Sequence, residues 1–165
     1  MATHVSTVTR THAITFMTDK LRNVLRDLIR ENGLDPDALM GSWETIGRGL
    51  RVWLTSEHLR RLVIEFYEPR SGSLTARWDI PVTYSGLGTV DDMWVDRTYL
   101  RQIIAKARRP TPTSYYQILF DNAPGAAEVA GFVSSGYRNT GSMVSRDAGT
   151  AAATGYMAAG LSYWR

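Results

Sequence analysis

The chain contains no cysteine, and that absence alone removes disulfides, thiolate metal ligands and cysteine nucleophiles. Histidine is nearly as scarce. His4, His12 and His58 are the only three in 165 residues, and no two stand four apart as a helical zinc pair requires. No Gly-Lys-Ser/Thr triplet occurs, so there is no phosphate loop of the Walker type. The pairs Gly47/Gly49 and Gly86/Gly88 lack the third glycine of a dinucleotide fingerprint and read as packing and turn glycines. No metal site and no cofactor are expected. No apolar run approaches membrane-spanning length, and Arg10 and His12 interrupt the stretch that a secretory leader would need. The expectation is a cytoplasmic protein with no membrane segment. Charge of one sign is also lacking, since 19 basic residues face 16 acidic ones for a net +3. Direct binding to nucleic acid is permitted by that balance but not expected. The doublets Arg60/Arg61 and Arg108/Arg109 read as surface charge, and Asp91/Asp92 as a solvated loop pair. With no nucleophile and base to assemble, a binding protein is favoured over an enzyme.

What is present is clear periodicity over the first 120 residues. Ile14, Met17, Leu21, Val24, Leu25, Leu28 and Ile29 recur at spacings of three, four and seven, which predicts a long amphipathic helix. Thr9 or Thr11 would cap its start and Gly33 would end it. A second helix is predicted to begin after Asp35, with Pro36 at its first position and Leu39, Trp43, Ile46, Leu50, Trp53 and Leu54 on one face. Gly47 and Gly49 interrupt it, which suggests close packing on a neighbouring helix. The period then drops to two. "LVIEFYEP" and "LTARWDIPVTY" read as strands joined by a hairpin at residues 70–73. Pro81 demands either an edge position or an amide turned from its neighbour. A third helix from about Asp96 to Ala107 and a strand "SYYQILFD" complete this portion.

From Asp121 the composition changes. The last 45 residues hold 7 of the 14 glycines, 10 alanines and 6 charges, against 29 charges before them. Such chain is too poor in bulky side chains for a core of its own and too apolar for a solvated linker. It must lie against the rest of the protein as a strap. The aromatic end "LSYWR" would anchor it, because a strap holds only if its far end is fixed. A sheet edge beside a strap suits a peptide that arrives as an added strand. The fold class is α+β, three helices packed on a mostly antiparallel sheet, in a single domain.

The run from "THAITFMTDKLRNVLRDLI" through "ENGLDPDAL", "LRRLVIEFYEP", "ARWDIPVTY" and "FDNAPG" to "GYRNTGSMV" and the final "YWR" resembles the bacterial HORMA-domain proteins of CBASS antiphage operons. The resemblance implies a HORMA fold over residues 1–165, with a core of residues 1–120 and a C-terminal safety belt of residues 121–165 that takes open and closed arrangements. It implies a peptide-binding signalling adaptor in antiviral defence. Its closed form would hold a closure-motif peptide, bind and activate a cGAS-like cyclic-oligonucleotide synthase (CD-NTase), and be reopened by an AAA+ remodelling ATPase of the pachytene-checkpoint type. Under that resemblance the peptide pairs with Tyr115, Tyr116, Gln117, Ile118, Leu119 and Phe120. Tyr137, Tyr156, Leu161, Tyr163 and Trp164 anchor the belt, and the remodeller grips the N-terminal segment at Thr3, His4, Val5 and Ser6, ahead of the first helix. The alternative is a small-molecule or nucleic-acid-binding domain without a peptide-gated switch.

Overall fold

A computed structural model of the chain describes residues 2–84, 94–95 and 97–165. Helix α1 spans Ala2–Glu31 and buries the predicted stripe, with Met17, Leu21, Leu25, Leu28 and Ile29 fully enclosed. It starts earlier than Thr9, so residues 3–6 lie in its first turns rather than in an unstructured arm. The reason is that no glycine or proline lies between Ala2 and Asn32. The β-branched residues there each cost only some tenths of a kcal/mol, about 0.7 at most. Gly33, at φ 82°, ends the helix, and the amide of Leu34 turns back to the carbonyl of Ile29.

The predicted second helix is two. Helix α2 covers Asp37–Gly41 and α3 covers Trp43–Thr55, with Ser42 at the junction at φ −104°, ψ 11°. The amide of Ser42 closes on the carbonyl of Leu39, a tight turn that ends α2 before α3 sets off. In α3, Gly47 meets α1 as expected, since a β-carbon there would stand 2.9 Å from the Arg22 guanidinium.

Strands β1 (Leu59–Tyr67) and β2 (Leu74–Tyr84) form the predicted antiparallel hairpin. The chain continues through β3 (Trp94–Val95), α4 (Arg97–Ile104) and β4 (Tyr115–Asn122). The loop bearing Gly86, Gly88, Asp91 and Asp92, and the start of the third helix at Asp96, lie outside the described residues. The last segment contains two strands that its small-residue composition conceals, β5 (Ser145–Ala153) and β6 (Met157–Trp164). The sheet order is β3-β5-β6-β2-β1-β4, and each neighbouring pair is antiparallel. Helices cover one face of this sheet, where Leu62, Ile64, Phe66, Trp78, Ile80, Leu161 and Tyr163 are buried.

Pro81 therefore sits in a central strand. It pairs with Arg61 on the β1 side, and the β2–β6 register passes from Asp79↔Ser162 to Val82↔Ala159 without a pair at 81. Gly160 lies opposite, with space for a β-carbon only 3.1 Å from Pro81 Cγ. The missing amide falls where the ladder pauses, the second of the two solutions open to proline.

Candidate peptide-binding edge and its strap

Strand β4 forms one edge of the sheet, antiparallel to β1 in the register Ile64↔Ile118 and Glu65↔Gln117. Among the described residues it pairs with no other strand, and no side chain from Tyr115 to Asn122 is fully buried. Its outer amides and carbonyls are thus a template for one more strand. Tyr116, Ile118 and Phe120 share the helix-facing side with Phe66, Ile64 and Leu62, and Tyr115, Gln117, Leu119 and Asp121 share the opposite side. Tyr116 fixes the edge to α2, because its hydroxyl donates to the Asp35 carbonyl at 3.1 Å and accepts from the Leu39 amide at 3.2 Å. Burial pushes the Tyr116 phenol pKa up, only partly opposed by the bond from Leu39.

Residues 123–144 leave the end of β4 and return as β5 on the far side of the sheet. On the helix side, Trp53 Nε1 donates to the Ala127 carbonyl at 2.8 Å, and Arg48 donates to the Ala130 carbonyl at 3.0 Å. Phe132 then closes an aromatic triad, 4.8 Å from both Trp53 and Phe120. Further along, residues 137 and 138 lie on the opposite face of the same sheet. Tyr137 is stacked between Arg61 and Arg77, with its centroid 5.2 and 4.6 Å from the two guanidinium carbons. The backbone N–H of Arg138 donates to Glu65 at 2.9 Å. The strap therefore holds on to both faces of the sheet, at Phe120 of β4 on one and at Glu65 of β1 on the other.

The face beneath it is charged and buried. Arg77 donates twice to Asp79, at 2.7 and 3.1 Å, and Trp164 Nε1 donates to the same carboxylate at 3.2 Å. The Trp164 ring also lies 4.9 Å from the Arg77 guanidinium. Arg61 bridges Asp79 and Asp121 and donates to the Tyr137 hydroxyl. Partial burial alone would lower the Arg61 pKa, and Tyr137 with the two carboxylates outweighs it and raises the pKa. Tyr137 is itself raised by burial, against the opposing pull of Arg61.

Of the anchors expected from the sequence, Tyr137 and Trp164 both lie against Arg77, their ring centroids 4.6 and 4.9 Å from its guanidinium carbon. Leu161 and Tyr163 are core residues of β6, Tyr163 with its ring 5.3 Å from Trp78. Tyr156 stands at the β5–β6 turn, half-buried, its amide held by the Thr154 hydroxyl at 3.1 Å. Thr3, His4, Val5 and Ser6 lie in α1, away in sequence from this cluster. Two contributors escaped sequence reading: Glu65 and Arg138. Strand alternation marks Glu65 only as polar-face, and nothing local shows that a segment seventy residues later covers it. Among the described residues no group of three or more His, Asp or Glu is placed to hold a metal ion, and no helix is long and apolar enough to cross a membrane.

The architecture compares with solved structures across nearly the whole chain. A chain of the mitotic checkpoint complex superposes with a TM-score of 0.75 at 10% identity, covering 93% of this chain and 99% of that one. HTP-2 of C. elegans, solved bound to the HIM-3 closure motif, gives 0.62 at 15% identity, with 94% and 90% covered. The E. coli MS115-1 HORMA:CdnC:Trip13 complex gives 0.57 at 18% identity, with 94% and 89% covered. No curated protein sequence matches the chain. At such identities the superpositions establish the fold alone. Membership rests on the sequence itself: the family model Bacterial HORMA domain 2 matches residues 2–165, and the chain belongs to that family.

Proposed function

We propose that the protein is a peptide-gated signalling adaptor of a CBASS-type antiviral system. A closure-motif peptide pairs as an added strand with Tyr115–Phe120, under residues 123–144, and the belt comprises residues 121–165. The observation that carries this reading is the unpaired edge of β4, with the strap fixed to both faces of the sheet beside it. We read the present arrangement, with β5–β6 docked against β2 and the strap seated, as the closed one. The likeness to a HORMA domain solved with a closure motif, and to one solved with CdnC and Trip13, supports the same partners here. The closed form then binds and activates a CD-NTase synthase and contributes no chemistry of its own.

Reopening would start at the N-terminus. Helix α1 packs on α3, α4 and β5, so a AAA+ motor that pulls on Thr3 to Ser6 and unwinds α1 removes a support of the C-terminal hairpin. From Arg10 onward α1 is tied down, as Arg10 donates to the Thr55 carbonyl at 2.8 Å.

The test is selection of peptides from a displayed library on the immobilised protein, followed by amide hydrogen exchange. A selected peptide should slow exchange across residues 115–120. Failure to select any peptide, or binding that leaves those amides unchanged, overturns the reading.

A further inference from the structure

Three charged side chains lie almost fully enclosed beneath the strap: Glu65, Arg77 and Asp79, at 0%, 5% and 3% exposure. Arg77 and Asp79 satisfy each other. Glu65 has no such partner on its own strand or on β2. Its carboxylate accepts from Gln117 Nε2 of β4 at 2.7 Å, from the backbone N–H of Arg138 at 2.9 Å, and from the Arg138 guanidinium at 3.4 Å. Two of the three donors belong to the strap. Arg138 is further held by the ring of Tyr67, whose centroid lies 3.5 Å from the guanidinium carbon.

The position of Glu65 matters as much as its contacts. It stands on β1, one strand in from the edge, and Gln117 of β4 lies between it and the open side. A main-chain bond from residue 138 to residue 65 therefore fixes the strap to the sheet, one strand in from the open edge, on the face away from the helices. Departure of the strap exchanges two charge-assisted donors for water, so closure keeps the net gain of those bonds. We propose that Glu65 is the positioning residue that keeps the strap closed over the β4 edge, and so sets how long a captured peptide is retained. The proposal rests on the peptide-capture reading for its consequence but not for its mechanism. A bond to the main chain holds the strap's path itself, and the charged acceptor makes it stronger than a neutral one.

Glu65→Met keeps the length of the side chain and removes every acceptor. Arg138→Ala changes only the strap: it removes the guanidinium, with its bond to Glu65 and its seat on Tyr67, and keeps the main-chain bond, so a smaller change in the same direction decides the matter should Glu65→Met fail to fold. Two readouts separate retention from general stability: segment-resolved hydrogen exchange on the free protein, and the association and dissociation rates of a library-selected peptide. The expected result is faster exchange over residues 130–144 and peptide dissociation faster by about tenfold, the factor that goes with about 1.4 kcal/mol. Association should be unchanged and residues 14–29 of α1 should stay protected. The double variant should lose less than the sum of the two single losses, because the bond between the Arg138 guanidinium and Glu65 is common to both. Unchanged strap exchange, or acceleration spread equally through α1, overturns the proposal. Failure of the unmodified protein to take a peptide overturns the function proposed above, while strap exchange in the free variants still decides the role of Glu65.

Discussion

Gly49 of α3 and Phe132 of the strap occupy complementary space: a β-carbon on Gly49 would stand 2.5 Å from Phe132 Cζ. The glycine in the helix is thus explained by the strap and not by a neighbouring helix. Its ordinary cost to the helix, on the order of 1 kcal/mol, is offset by a seat for an aromatic ring.

Gly49→Ala should consequently favour α3 in isolation yet loosen the strap. Overpacking against the Trp53–Phe120–Phe132 triad costs about 1–3 kcal/mol, at least the size of the helix gain. Hydrogen exchange should quicken at residues 126–133 with α1 unaffected. Slower exchange there would show that the ring simply moves aside.

At the other end of the segment, Trp164 is half-buried and spans Arg77 and Asp79. Trp164→Ala should cost about 2 kcal/mol, below the range for a fully buried ring. Trp164→Phe keeps an aromatic ring at the position and loses the indole N–H with part of the ring area, for about 1 kcal/mol from the hydrogen bond. Chemical denaturation measures both, and equal losses would mean that the hydrogen bond rather than the ring does the holding.

Tyr84 supplies a pH prediction. Burial, then the negative charge of Glu57, raise its phenol pKa well above the ordinary 10.0, and its hydroxyl donates to the Leu59 carbonyl at 2.7 Å. The unfolded chain ionises first, so this contribution to stability is intact below pH 10.0 and is lost as pH rises beyond it. Tyr84→Phe should lower neutral-pH stability by about 1 kcal/mol and flatten the alkaline fall relative to the unmodified protein. Parallel curves above pH 10 in the two proteins would contradict the assignment.

How much of this was legible depends on the range of the interaction. The stripe from Ile14 to Ile29, the hairpin turn at residues 70–73 and the strand from Tyr115 are written in local periodicity. The edge position of β4 is not local, because it follows from β6 inserting between β2 and β5. That insertion left a trace in the alternation of buried Met157, Ala159, Leu161 and Tyr163, but two alanines and a glycine among the eight residues disguise it as strap. The charged seat was hidden for the same reason. Glu65, Arg77 and Asp79 carry the pattern of a solvated face, and only the return of residues 137, 138 and 164 buries them.

Arg77 offers the sharpest test of that seat. Its guanidinium is held in two ways at once, by two bonds to Asp79 and by contact with the rings of Tyr137 and Trp164. A lysine carries the same charge but has neither the fork nor the flat faces. If charge alone matters, Arg77→Lys is nearly neutral. If the planar geometry matters, it loses a charge-assisted bond and both stacking contacts, and should cost about 1.5–3 kcal/mol. The loss should fall on the C-terminal segment first, since both rings belong to it: exchange near residues 137–138 and in β6 should quicken while α1 keeps its protection. A second variant, Asp79→Asn, leaves Arg77 stacked but removes the charge it pairs with, at about 3–5 kcal/mol for a broken buried pair. Strong non-additivity between the two, measured by denaturation of the double variant, is the expected signature of one shared seat, and simple addition would place the two residues in separate roles.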